Sequence, residues 1–124
     1  MNGIILLSLL ALCCAALGSS DDLGAPVILT SEARQKAIEL LDATLAQLST
    51  GDGPSYKPIS VGIVTSQIVT GTLYTYNDVE LETGSEKKRC TVKIWSRPWL
   101  KENSTKVVIN CLLGDGNDEV DRTF

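Results

Sequence analysis

Residues 90–111 read CTVKIWSRPWLKENSTKVVINC, and this stretch sets the register of the predicted fold. An alternating run stands at each end of it and a polar segment lies between them, which is the pattern of a β-hairpin. Pairing the two cysteines opposes three apolar pairs on one face, namely Cys90 with Cys111, Val92 with Ile109 and Ile94 with Val107. That face is predicted to meet the core, and the hairpin tip carries Pro98 and Trp99.

Residues 1–18 have the composition of a secretory signal peptide. An apolar run spans residues 4–12 and small residues follow it, so cleavage is expected after Gly18, with Ser20 as the second choice. The first residues carry no Lys or Arg, and a retained membrane anchor is the alternative. Cleavage removes Cys13 and Cys14, and a disulfide is the default for the remaining two cysteines of a secreted domain. The chain is therefore expected to be extracellular, with residues 19–124 as one small domain.

Composition excludes several classes of function. The 124 residues carry a net charge of −4, with a pI near 4.7 and no long run of Lys or Arg, which argues against nucleic-acid binding. No basic amphipathic helix indicates binding to a membrane surface after signal removal. The chain contains no His, which excludes Ser-His-Asp and Cys-His catalysis and makes most zinc sites implausible. An enzyme is not expected.

One long helix is predicted between Ser31 and Ser49. Thr30 or Ser31 is suited to cap it, and Gly51 to Pro54 end it. A single apolar stripe follows the helical period and contains Ala37, Ile38, Leu41, Leu45 and Leu48. We interpret it as a core helix on a sheet, with a partner-binding helix as the lesser alternative.

Strand patterns fill the chain after Pro58. Residues 59–64 and 72–83 alternate around the bend Gln67-Ile68-Val69-Thr70-Gly71, and a bulge or break is expected at Asn77-Asp78. A soluble monomer rarely exposes Ile and Val at a bend, so this bend is a candidate contact surface. By itself, such a bend is more often an ordinary hairpin turn.

The two ends of the mature chain are predicted to lie outside the sheet. Residues 19–25 are small and polar and are expected to form a mobile arm in which Leu23-Gly24 is the contact element. Residues 114–121 match a calcium loop only in part and are interpreted as a solvated acidic tail. Asn103-Ser104-Thr105 is an N-glycosylation sequon beside Trp99, and an unmodified surface Asn is the alternative.

Taken together, these motifs resemble those of secreted cystatins, over essentially all of the mature chain. Gln67-Ile68-Val69-Thr70-Gly71 is similar to that family's Gln-x-Val-x-Gly hairpin, and Pro98-Trp99 to its second hairpin. Gly24 matches the family's N-terminal glycine, and Cys90 with Cys111 matches its C-terminal disulfide. Each match is weak alone, but their order and spacing after a signal and a helix are specific.

The resemblance implies an α+β fold, a five-stranded antiparallel sheet wrapped around one long helix. It implies a reversible, wedge-type inhibitor of papain-like cysteine peptidases that needs no metal or cofactor. The implied peptidase contacts are Gly24, Gln67, Ile68, Val69, Thr70, Gly71, Pro98 and Trp99. A monomer is expected, and a dimer formed by exchange of the first hairpin is left open.

The chain also departs from the family pattern. It has cysteines for one bridge, which is similar to the single-disulfide insect type, and Ala25 replaces a second glycine. The segment after the helix lacks the Ser-Asn-Asp that some members use against legumain-type peptidases, so that activity is not expected. The main alternative is a secreted cystatin-fold module that binds another partner without inhibiting, and a small secreted enzyme is a more distant one.

Overall fold

The computed structural model describes residues 24–51, 53–113 and 116–124. The predicted signal peptide and arm residues 19–23 lie outside these residues. In chain order the elements are β1 (Val27–Ile28), α1 (Ser31–Thr50), β2 (Lys57–Ser60), β3 (Val64–Val69), β4 (Gly71–Thr83), β5 (Glu86–Ser96), β6 (Thr105–Leu113) and β7 (Gly116–Thr123).

The predicted helix is confirmed as α1, with Thr30 at its N-cap and Gly51 at its C-cap. Its buried side chains are Ala37, Leu41, Thr44, Leu45 and Leu48. Ile38, the remaining member of the predicted stripe, is half-buried and packs against this core. The helix therefore presents its apolar stripe to the sheet, and the hydrophobic effect holds the two layers together.

The strands form one antiparallel sheet in the order β1-β3-β4-β5-β6-β7, and β2 pairs with β4 beside β3. The disulfide between Cys90 and Cys111 is present, and β5 and β6 pair in the predicted register. The six apolar residues that this register aligns are buried against the helix. The alternation of residues 90–111 was therefore sufficient to place this hairpin.

Two irregularities face each other in the middle of the sheet. The pairing of β4 with β5 shifts between Tyr76 and Val79, which confirms the expected bulge. The strand predicted from residue 59 onward is interrupted, because residues 61–63 lie between β2 and β3. Arg34 of α1 donates to the carbonyls of Val61 and Gly62 at 2.9 and 2.7 Å, which satisfies backbone groups that a continuous strand would have paired.

The interpretation of residues 114–121 as a solvated tail is wrong, because residues 116–123 form β7. This strand pairs along its whole length with β6, and Val120 and Phe124 pack against the core. The sheet consequently has more strands than the five expected, with the short β1 and the interrupted first strand adding to the number. The α+β class itself is confirmed. Within the described residues, no helix is both long and apolar enough to cross a bilayer.

Candidate functional site

The first hairpin turns within a single residue. Val69, the last residue of β3, pairs with Gly71, the first of β4, and only Thr70 lies between them. Ile68 is 66% exposed and Val69 41% exposed, and Thr70 is exposed as well. The bend therefore presents an apolar apex to solvent, as its sequence predicted.

Strand β5 supports this apex from the side. The indole Nε1 of Trp95 donates to the Thr70 carbonyl oxygen at 2.8 Å. A Cβ atom on Gly71 would overlap the Ser96 carbonyl oxygen, so the bend lies directly against the end of β5. The apex is consequently held in place although its own side chains are exposed.

The second hairpin begins where the first one is supported. Thr72 pairs with Ser96, and Ser96 pairs with Thr105. Pro98 and Trp99 follow Ser96 by two and three residues and occupy a turn in which Leu100 N–H donates to the Arg97 carbonyl at 3.1 Å. Trp99 is 60% exposed. The register therefore brings the two predicted tips to the same end of the sheet.

The arm reaches this end too. The side-chain amide Nε2 of Gln67 donates to the Gly24 carbonyl oxygen, and Val27–Ile28 pairs with Ser66 and Thr65. Gly24 has a φ of 83°, a left-handed value that glycine adopts at little cost. We refer to Gly24, Gln67–Gly71 and Pro98–Trp99 as the hairpin end of the sheet.

Sequence reasoning missed the residues that hold the hairpin end together. The Arg97 guanidinium carbon lies 4.0 Å from the centre of the Trp95 ring, and Arg97 Nη2 donates to the Asn103 carbonyl at 3.1 Å. Lys106, the cross-strand neighbour of Trp95, reaches Asp121 at 3.8 Å instead of the indole. The spacing of Trp95 and Arg97 could have indicated the contact, since residues two apart in an extended chain share a face.

The chemistry available at the hairpin end is that of contact rather than reaction. It offers exposed apolar side chains, an indole and turn backbone. Among the described residues, no group of three or more His, Cys, Asp or Glu side chains is placed to hold a metal ion. A surface of this kind is suited to filling an apolar groove in a partner.

Comparison with known proteins gives three matches. A Drosophila melanogaster protein named "Cystatin-like protein" is 54% identical over 122 residues, which cover 98% of this chain and 92% of that protein. Sarcocystatin-A of Sarcophaga peregrina is 31% identical over 111 residues, which cover 90% of each chain. Cathepsin F of Drosophila melanogaster is 35% identical over 72 residues, which are 57% of this chain and 12% of that protein. No protein-family model matches the chain, and no solved structure matches it significantly.

Proposed function

This chain belongs to the cystatin superfamily, and we propose that it is a reversible, non-covalent inhibitor of papain-like cysteine endopeptidases of the cathepsin type. Its cystatin-family relatives are protease inhibitors and not enzymes, which supports this proposal. The inhibitory mechanism proposed for it is a wedge formed by the hairpin end.

The observation that carries the proposal is the meeting of three separate segments at one end of the sheet. Gln67 is hydrogen-bonded to Gly24, and Trp95 is hydrogen-bonded to Thr70. Pro98-Trp99 follows β5, the strand that lies against Gly71. Ile68, Val69 and Trp99 are exposed there although water contact is unfavourable for them. Burial in the apolar walls of a cleft would remove that cost.

The bend would fill the cleft without being cleaved. Its backbone turns back at Thr70, and both of its strands are paired within the sheet. A nucleophilic thiolate therefore meets a folded apex instead of an extended peptide that could occupy both sides of the scissile position. Ile68 and Val69 would supply apolar area, and the glycine allows close approach of the backbone.

Trp99 and the arm would contribute contacts on either side of the bend. An exposed tryptophan held by a proline loses little side-chain freedom on binding, and such residues often dominate interface energies. Gly24 would direct the arm into the substrate subsites on the acyl side. No step requires a cofactor.

Titration of the chain beginning at Ser19 against a papain-like endopeptidase, with a fluorogenic substrate, tests the proposal. We expect stoichiometric inhibition and recovery of peptidase activity on dilution. Unaffected hydrolysis at micromolar concentrations of the chain would exclude inhibition and favour the non-inhibitory binding module.

Substitution of Trp99 tests the anchor. Trp99→Ala should weaken inhibition by about 2 kcal/mol, roughly 30-fold in the inhibition constant. Leu112→Ala is the matched control, since Leu112 is 70% exposed and follows Cys111 at the other end of the β5–β6 pairing. Equal inhibition constants for the two variants would remove Trp99 from the contact surface.

We propose that the chain is secreted and that residues 1–18 are removed as a signal peptide. We expect mature protein from secreting insect cells to begin at Ser19, which N-terminal sequencing can determine.

We also propose that Asn103, which is exposed, carries a glycan near Trp99. Digestion with a peptide-N-glycosidase should then reduce the apparent mass of the wild type and leave Asn103→Gln unchanged.

A further inference from the structure

The face of the sheet that points away from α1 carries an apolar groove. It has a volume of about 300 Å³ and is lined by Val69, Leu73, Lys93, Trp95, Lys106 and Val108. These residues belong to the outward half of the strand alternation, since their neighbours Val92, Ile94 and Val107 are buried on the helix side. The groove is thus additional to the core.

The register explains how the groove is built. Leu73, Trp95 and Lys106 are opposite one another across β4, β5 and β6, and Lys93 is opposite Val108 in the next outward-facing row. Leu73, Trp95 and Val108 are only half-buried. All six lining residues belong to strands β3 to β6, and Arg97 lies over the Trp95 ring at 4.0 Å.

Two of the six lining residues, Lys93 and Lys106, are cations. Lys93 and Lys106 occupy diagonal positions on adjacent strands, where Cα atoms are about 7–8 Å apart. Lys106 has one half-exposed partner, Asp121, at 3.8 Å. Lys93 is exposed and forms no ion pair with any residue that the structure describes. Lys93 is therefore available to an anion in the groove, and Lys106 can add one to its weak, solvent-exposed pair with Asp121.

We propose that this groove binds a free medium-chain fatty acid. The alkyl chain lies on Leu73, Trp95 and Val108, and the carboxylate accepts hydrogen bonds from Lys93 and Lys106. The groove volume is at the lower end of the range for small-molecule sites. Six lining residues are far fewer than the 20 to 30 that each partner contributes to a stable protein interface. A small amphipathic anion therefore suits the groove better than a second copy of the chain.

Octanoate is the probe, and octan-1-ol is its neutral match. Titration of the ¹⁵N-labelled protein should give saturable amide shifts confined to β4, β5 and β6 around Leu73, Trp95 and Val108. The chain has two tryptophans, so in a Trp99→Phe background the fluorescence of Trp95 should change with the same dissociation constant. In this background Trp95 is the remaining tryptophan of the chain, so its fluorescence reports on the groove.

Charge removal tests the role of the two lysines. Lys93→Gln and Lys106→Gln should each weaken octanoate binding by about tenfold, since a hydrogen bond to a charged group is lost. Lys36→Gln and Lys57→Gln remove the same charge from exposed positions elsewhere and should change binding less than twofold. All four positions are on the surface, so the variants should fold.

Three results would overturn the proposal. Equal binding of octan-1-ol and octanoate would reduce the groove to a non-selective apolar surface. Shifts that do not saturate at millimolar octanoate, or that spread over α1, would mean that no site exists. A concentration-dependent dimer in analytical ultracentrifugation that Leu73→Glu abolishes would assign the groove to a second copy. None of these measurements depends on peptidase inhibition, so this proposal can fail or succeed independently of that one.

Discussion

Gly71 is required at its position for two separate physical reasons. Its φ of 98° is unfavourable for a residue with a Cβ atom. In addition, the Cβ atom would overlap the carbonyl oxygen of Ser96, which belongs to the backbone of the neighbouring strand and cannot rotate away. The last position of the Gln-x-Val-x-Gly motif is therefore fixed by the fold, before any contact with a peptidase is considered.

Comparison of two alanine substitutions separates these reasons. Gly84 also has a positive φ, 60°, but no atom lies within 4 Å of a Cβ placed there. Gly84→Ala should lower the free energy of unfolding by about 1–2 kcal/mol, the cost of the left-handed conformation alone. Gly71→Ala should cost a further ~1–3 kcal/mol for the displaced backbone, and it should also weaken inhibition. Urea denaturation measures the loss of stability, and peptidase titration measures the loss of inhibition. An equal loss of stability in Gly71→Ala and Gly84→Ala would contradict the steric argument.

Tyr76 links α1 to β4 through its hydroxyl group. Its side chain is completely buried, and the hydroxyl donates to the Ala37 carbonyl oxygen at 2.7 Å. Burial raises the pKa of the Tyr76 phenol well above its usual range, and the nearby charges of Tyr74 and Asp42 act in the same direction. The folded protein therefore keeps this proton at pH values where the unfolded chain releases it.

The pH dependence of stability should report this proton. Tyr76→Phe should lower the free energy of unfolding by about 1 kcal/mol at neutral pH, because the hydrogen bond is lost. Above about pH 10 the unfolded wild type binds fewer protons than the folded one, so its stability falls as the pH rises. The variant lacks this contribution, and its stability should fall less steeply there. Urea denaturation at several pH values measures both slopes, and parallel slopes would show that Tyr76 ionises equally in both states.

At the level of whole elements, the sequence predicted best where each element carries its own pattern. The stripe of α1 and the alternation of residues 90–111 each specify a buried face without reference to other parts of the chain. Strand β7 has no such pattern, because Val120 is its single large apolar residue. It forms because its backbone completes the hydrogen bonds of β6. Its position is therefore specified by the neighbouring strand and not by its own sequence pattern. The interruption at residues 61–63 was missed for a similar reason, since its carbonyls bond to Arg34 of a distant helix.

The arm is the element whose removal should separate binding from folding. Deleting the chain through Gly24 breaks the bond from Gln67 but keeps the β1–β3 pairing of Val27–Ile28. The free energy of unfolding should fall by no more than about 1 kcal/mol, while the complex with the peptidase should dissociate faster. Gln67→Leu keeps the arm but removes its donor, so it should raise the dissociation rate in the same direction by a smaller amount.

For these variants, stopped-flow mixing gives the association rate constant and dilution of the complex gives the dissociation rate constant. A truncated chain that no longer folds would show that the arm is structural. A dissociation rate equal to that of the wild type would show that the arm makes no contact in the complex.

At the scale of the whole molecule, the three segments were expected to form one contact edge, but no local pattern in the sequence specifies how they converge. Gly24, the first bend and Pro98-Trp99 were each identified from local motifs. Whether they lie at one end depends on how β4 pairs with β5, and the register of Thr72 with Ser96 has no local signal in either strand. That register also brings Trp95 to the Thr70 carbonyl. The support of the bend is thus a property of the assembled sheet.

The disulfide provides a test of how far the two ends of this sheet are coupled. Cys90 and Cys111 pair six rows away from Ser96 and Thr105, and strand rise makes that separation about 20 Å. The bridge joins residues 21 positions apart, and its removal should cost about 3 kcal/mol by freeing the unfolded chain. Both sulfurs are in the core, with the residues 3% and 1% exposed, so Cys90→Ala with Cys111→Ala is the appropriate variant.

The double variant should melt roughly 10–20 °C lower than the wild type. At temperatures where it remains folded it should inhibit the peptidase with an unchanged constant, because the bonds from Gln67 and Trp95 that hold the hairpin end do not involve the bridge. Thermal denaturation followed by titration well below the melting temperature measures both. Weakened inhibition by a fully folded variant would show that the bridge acts on the hairpin end through the strands, and that the two ends of the sheet are mechanically coupled.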